Sequence, residues 1–154
     1  MPDHDTLMLV DIVNPGWAPV YVANLTEDIP GYIEAPANAL AYSWKHFIGG
    51  HLGRLGTRDD VTIHQQYMAD ISESSRKAID TVDGTRYFVK YGDNMWAAVK
   101  GYLDAVTALA AAPVIAKYTG VLGAADVPAF TTSTTFMILQ SIRLDLGTGS
   151  QVHP

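Results

Sequence analysis

The stretch of sequence that decides our interpretation of the fold runs Phe47-Ile48-Gly49-Gly50-His51-Leu52-Gly53-Arg54-Leu55-Gly56-Thr57-Arg58-Asp59-Asp60. A short apolar run stops at two glycines, presents a histidine, and passes through two more glycines to the predicted start of a helix. Glycine lets the backbone take positive φ or approach another group closely. Sites in α/β proteins are built on the rim beyond the strand ends. His51 is therefore either a metal ligand on such a rim or a surface residue in a strand–helix connection.

A second apolar run, Thr6 to Val10, lies upstream behind the turn residues 2–5. A continuous apolar run bounded by turn signals is typical of a strand buried on both faces. This run ends at Asp11, and a carboxylate that closes a buried strand is costly unless it is paired, hydrogen-bonded or bound to metal. Asp11 is therefore either an acceptor for backbone N–H groups of the loop 12–16 or a metal ligand.

The spacing of apolar residues predicts a second strand at Ser43–Ile48 and helices over most of the remaining chain. The predicted helices cover 30–40, 59–82, 96–113, 114–122 and 126–144, with a brief extended piece at 87–89. His64 is expected on the wetter side of the second of these helices. We divide the chain into a strand-and-loop part at 1–58, a helical layer and extension at 59–147, and a loose tail at 148–154.

Composition limits the possible functions. The chain has 154 residues, of which 48% are hydrophobic, with a formal net charge of −6 and no cysteine. The acidic balance argues against a nucleic-acid partner, and the missing cysteine excludes disulfides, thiolate zinc sites and cysteine nucleophiles. The polar start, residues 1–5, is no signal peptide, so a cytoplasmic location is expected. The longest nearly apolar stretch, 106–116, is interrupted by Pro113 and too short to span a membrane, so no membrane partner is expected.

The two strand ends together resemble the C-terminal half of the metallo-β-lactamase fold hydrolases, in a bacterial branch of that superfamily. The resemblance rests on Asp5-Thr6-Leu7-Met8-Leu9-Val10-Asp11, Pro15-Gly16-Trp17, the Gly49–Val61 stretch, Leu122-Gly123-Ala124-Ala125-Asp126 and Ser141-Ile142-Arg143-Leu144-Asp145. It implies an α/β fold, the C-terminal half of an αβ/βα sandwich followed by a helical extension. It also implies a zinc site on one sheet edge, usually with two ions, where Asp11 bridges the metals and His51 is the last histidine ligand. Carboxylate oxygen and neutral imidazole suit zinc, which activates water for hydrolysis.

The chain departs from the family in lacking the HxHxDH motif and a further histidine that precede the bridging aspartate. Its histidines are His4, His46, His51, His64 and His153, and no two have HxH spacing. We therefore expect a partial zinc-dependent hydrolase that is inactive alone, a C-terminal fragment whose complete form acts on a small-molecule substrate.

Two alternatives remain open, a non-enzymatic interaction module and a half-enzyme completed in trans by another chain. The unpaired edge of strand 7–10 also predicts self-association. We expect Asp11 and His51 to point into one open depression close to Gly49, Gly50 and the loop 14–16. None of the other four histidines should complete the metal site.

Overall fold

The computed structural model describes residues 5–51 and 53–144, and it contains two short strands and six helical segments within those ranges. In chain order they are β1 (Thr6–Met8), α1 (Tyr21–Leu25), α2 (Ile29–Leu40), β2 (His46–Ile48), α3 (Arg58–Thr81), α4 (Thr85–Tyr91), α5 (Met95–Tyr118) and α6 (Phe130–Leu144). The tail predicted at 148–154, together with His4 and His153, lies outside the described residues.

The predicted fold class, an α/β half of a metallo-β-lactamase sandwich, is wrong. Of the described residues 63% are helical, and the two strands that they contain form one parallel pair of three residues each. The apolar run after Met8 does not extend the strand, since Val10 lies in a turn and is exposed. A sheet this small cannot form a layer, so the helices bury their apolar faces mainly against one another.

The main core lies among α3, α5 and α6. Tyr67, Met68 and Ile71 of α3 pack with Val114 and Tyr118 of α5, and Ile138 of α6 joins the same cluster. A smaller cluster lies against the sheet and comprises Val13, Ala39, Trp44, Phe47 and Val61. The sheet is thus a small platform at one side of a helical body, and both candidate ligands follow its strands.

Helix α3 begins with a capping box. The Thr57 hydroxyl accepts from the backbone N–H of Asp60, and the Asp60 carboxylate accepts from the backbone N–H of Thr57. Arg54 adds two bonds to the same carboxylate, of 2.9 and 2.7 Å. The Arg54 hydrogen bond is the main reason why the pKa of Asp60 lies below its usual value. The arrangement fixes the end of the segment that follows His51.

Three helical predictions differ from the structure. Residues 87–89 lie inside α4 and are not extended. Helix α5 continues through Pro113, so the predicted helices 96–113 and 114–122 are largely one. Pro113 removes a backbone donor from that turn, and the Ser74 hydroxyl of α3 donates to the nearby carbonyl of Ala110 at 2.8 Å. Helix α6 begins at Phe130 rather than at Asp126.

Helix α5 is both long and apolar. By length and composition it is the one helix among the described residues that could cross a membrane, and core helices of soluble proteins meet the same criterion. In the structure it packs against α3, α4 and α6.

Candidate functional site

Asp11 and His51 lie side by side at matching ends of the two strands. Strand β1 pairs with β2 in parallel, and Met8 is the register partner of Ile48. Asp11 and His51 each follow three residues beyond that pair. The Nε2 atom of His51 and the Oδ1 atom of Asp11 form a hydrogen bond. The structure therefore brings together the two residues that the sequence singled out.

Two glycines make this approach possible. A Cβ on Gly50 would lie 2.9 Å from the backbone nitrogen of Asp11 and 3.1 Å from its Oδ1. A Cβ on Gly49 would lie 2.4 Å from the carbonyl oxygen of Val13 and 2.5 Å from Cδ of Pro15. Any side chain at these positions would push the loop that carries Asp11 away from β2.

The backbone is strained at both candidate ligands. Asp11 has φ 64° and His51 has φ 61°, in the left-handed region that few non-glycine residues occupy and in which Asp and His are enriched several-fold over other residues. Such residues cost on the order of 1–3 kcal/mol each and cluster at functional sites. The side chains are 57% and 69% exposed, and an exposed ion pair contributes about 0–1 kcal/mol. The pair therefore does not offset the strain of its own backbone.

A third strained element lies beside Asp11. Residues Val22, Ala23, Asn24 and Leu25 of α1 all have positive φ, between 48° and 63°, so α1 ends in a left-handed turn. The Asn24 side chain occupies its inner side, and its Nδ2 donates to the Asp11 carbonyl and to the Tyr32 hydroxyl, both at 3.0 Å. The Tyr32 hydroxyl donates in turn to the carbonyl of Ile12 at 2.9 Å.

An open cavity of about 400 Å³ adjoins these residues. Its polar lining comes from Asp11, Asn24, Thr26, Asp28 and Tyr32. The Oδ1 atom of Asp28 caps α2 by accepting from the backbone N–H of Gly31 at 2.9 Å. Asp11 lines this cavity, and His51 is not among its lining residues.

The other described histidines stand apart from this pair. His46 is exposed on β2. His64 was expected on the wetter side of α3, and this prediction is wrong: its ring is 2% exposed and packs between Tyr32 and Tyr67. Neither ring nitrogen of His64 has a hydrogen-bond partner, and burial lowers its pKa to about 4.

The residues present fit part of a zinc site. Imidazole nitrogen and carboxylate oxygen are zinc ligands, and both atoms are accessible here. Structural zinc sites use four protein ligands and catalytic sites use three. Among residues 5–51 and 53–144, no group of three or more His, Cys, Asp or Glu side chains could hold a metal ion. The described residues thus offer two ligands and leave the other positions open.

Sequence reasoning missed Arg54 and Asn24. The guanidinium of Arg54 lies over Gly16, where a Cβ would be 2.8 Å from Nη2, so Arg54 joins the two loops that follow the strands. The Thr57-x-x-Asp60 spacing, which resembles a capping box, could have indicated the carboxylate that Arg54 binds. Nothing in the sequence around Asn24 indicates a left-handed turn, since neither glycine nor a turn dipeptide is present there.

Comparisons with protein-family models, curated proteins and solved structures found no match to this chain.

Proposed function

We propose that this chain contributes Asp11 and His51 to the zinc centre of a hydrolase and that polypeptide outside the described residues supplies the remaining ligands. The proposal concerns the ligand pair and not the layered sandwich, which the helical fold contradicts. Zinc, when bound, would polarise the scissile group of the substrate and lower the pKa of water. Asp11 and His51 would hold the metal at the solvent-exposed side of the two loops.

The contact between His51 Nε2 and Asp11 Oδ1 carries the proposal. Acidic and basic side chains contact each other in many surface pairs. These two residues differ in that both have positive φ and both follow equivalent ends of parallel strands. The neighbouring glycines let the two loops approach so closely that Nε2 of His51 contacts Oδ1 of Asp11 directly. A surface ion pair alone does not explain these features, because it returns too little free energy.

A zinc titration followed by NMR tests the proposal. We expect the ring signals of His51 to shift on addition of zinc, and we expect either Asp11→Ala or His51→Ala to weaken binding at least tenfold. His46→Ala is the matched control, since His46 is an exposed histidine on β2, the strand that precedes His51. Zinc that shifts His46 or His64 and leaves His51 unchanged would contradict the proposal.

The same proposal predicts that the chain alone is a poor hydrolase, because two protein ligands do not make a catalytic zinc site. The measurement is turnover of generic ester, lactam and phosphodiester substrates with zinc added. We expect no turnover above that of Asp11→Ala. Activity that disappears in Asp11→Ala or His51→Ala would show that the chain carries a complete site.

A second candidate function is a non-enzymatic interaction module. The observation that favours it is the exposed apolar surface at the corner of α4 and α5, where Val89 is 79% and Trp96 is 83% exposed. Exposed apolar patches mark interaction sites. Zinc-independent self-association or partner binding that is lost on Trp96→Lys, with no zinc binding at His51, would favour this function over the first.

A further inference from the structure

We infer that Asn24 is a positioning residue that sets the backbone of Asp11 so that its carboxylate meets His51. This inference rests on the proposed function, since it assigns a supporting residue to the same ligand pair. It adds a residue that no sequence pattern indicated.

The Asn24 amide uses its hydrogen-bonding groups on four partners. Its Nδ2 donates to the Asp11 carbonyl at 3.0 Å and to the Tyr32 hydroxyl at 3.0 Å. Its Oδ1 accepts from the backbone N–H of Val20 at 2.7 Å and from Nδ2 of Asn14 at 3.3 Å. An amide is the one neutral side chain group that supplies two donors and an acceptor together.

The bond to the Asp11 carbonyl acts on the direction of the Asp11 side chain. Asp11 has φ 64°, a conformation that costs free energy for a residue with a Cβ. The hydrogen bond from Asn24 holds the Asp11 carbonyl and so restrains the peptide plane between Asp11 and Ile12. This restraint fixes the direction of the Cα–Cβ bond of Asp11. Without the bond, the loop can relax to negative φ and turn the carboxylate away from His51.

Asn24 is itself held firmly by the helical body. The backbone N–H of Val22 donates to Oγ of Ser133 at 2.8 Å, and that of Ala23 donates to Oγ1 of Thr134 at 3.3 Å. Both partners belong to α6. A left-handed conformation is unfavourable for residues with a Cβ, so the turn persists because α6 fixes it. Asparagine tolerates this conformation better than its neighbours do.

A role limited to forming the turn does not explain the whole contact set. The acceptor for Val20 N–H serves the turn, whereas both donors reach Asp11 and Tyr32 outside it. Residues that orient a metal ligand in this way change metal affinity 10–100-fold when they are replaced.

The test combines Asn24→Gly with NMR of the full chain. Glycine accepts positive φ without strain, so this variant leaves the backbone conformation of the turn accessible and removes all four side-chain bonds, including the one from Val20 N–H. We expect the ring ¹⁵N and ¹H signals of His51 in metal-free protein to move toward those of Asp11→Ala. We also expect zinc affinity at His51 to fall about tenfold or more. Leu25→Gly is the matched control, because Leu25 belongs to the same turn, has φ 63° and is 73% exposed.

The outcomes separate this inference from the proposed function. If the His51 ring signals of metal-free Asn24→Gly are the same as those of wild type, the role of Asn24 is overturned, whether or not zinc binds. Failure of the wild-type chain to bind zinc at His51 would overturn the proposed function, while the metal-free His51 signals still decide the role of Asn24. If the glycine variant does not fold, Asn24→Asp replaces it, since aspartate keeps the acceptor for Val20 and lacks both donors. The same loss of the His51 signature is expected in it, and its retention would count against the inference.

Discussion

Gly50 lies where the backbones of the two loops that carry the candidate ligands approach each other closely. We expect Gly50→Ala to destabilise the fold by about 1–3 kcal/mol, because its Cβ would meet the Asp11 backbone and the surrounding atoms must shift. Urea unfolding measures the change. Gly53→Ala is the control, since a Cβ there has no atom within 4 Å, and its effect should stay within about 0.5 kcal/mol. Equal effects of the two substitutions would contradict the tight approach at Gly50.

His64 should make the stability of the fold depend on pH. Burial lowers its pKa from 6.5 to about 4, so the unfolded chain takes up a proton at a higher pH than the folded chain does. The neutral ring contributes stability that is fully present above about pH 6.5 and is lost as the pH falls toward 4. The loss approaches about 3 kcal/mol, from 1.36 kcal/mol per pKa unit.

Chemical denaturation of wild type and His64→Phe between pH 4 and 8 measures this contribution as a difference of unfolding free energies. The unfolding free energy of wild type should fall relative to that of His64→Phe as the pH falls. A constant difference between wild type and His64→Phe would show that His64 does not titrate differently in the folded chain.

At the scale of elements, the buried hydroxyl of Thr134 is one of two α6 hydroxyls that dock α1. Thr134 is fully buried and accepts from the backbone N–H of Ala23. Thr134→Val keeps the shape and leaves that N–H unsatisfied, so we expect a loss of about 1–3 kcal/mol. The matched substitution is Thr135→Val, because Thr135 is equally buried and bonds only the Thr131 carbonyl of its own helix among the contacts described. Thermal unfolding should show the larger loss for Thr134→Val, and the reverse order would contradict the docking role.

The sequence predicted some elements well and others poorly, for physical reasons. The α2 and α3 regions were found because their apolar residues recur at helical spacing between clear end signals, Pro30 near one start and Asp83-Gly84 after the other end. Residues 87–89 contain a β-branched residue and two aromatic ones, which favour a strand locally. In the structure they form α4, which packs against α5, and such tertiary packing cannot be read from local propensity.

The candidate site also has features that the sequence predicted and features that it did not. The proximity of Asp11 and His51 was predicted from two apolar runs with polar ends together with the family resemblance, which implied that the two strands are neighbours in one sheet. The fold class did not follow, because the length of the strands depends on how Val10 turns away, and the sequence pattern continues through it. The burial of His64 depends on the tyrosines that surround it from α2 and α3, and a helical pattern read alone does not show such neighbours.

For the whole molecule, self-association remains a prediction, and the structure describes the surface that it would use. The sheet has two strands, and Met8 on β1 is 60% exposed. Sheet edges with exposed apolar residues invite pairing with another chain. We expect dimers or larger species by light scattering and expect Met8→Lys to reduce them. The control is Trp96→Lys, an equally drastic change on α5, which should leave the oligomers intact. A monomeric wild type would contradict association through the sheet, and so would loss of the oligomers in Trp96→Lys but not in Met8→Lys.

The bonds between α1 and α6 also determine when the site can form during folding. Val22 and Ala23 bond residues 111 positions later in the chain, and Trp17 forms a bridge with Gly123. Contacts between such distant residues carry the loop-closure cost of the long segment between them, whereas helices α3 and α5 form from local contacts. The loop that carries Asp11 therefore becomes ordered late, after the helical body has assembled. During synthesis both strands would leave the ribosome before α6, so the candidate ligands could take their places only after α6 had been made.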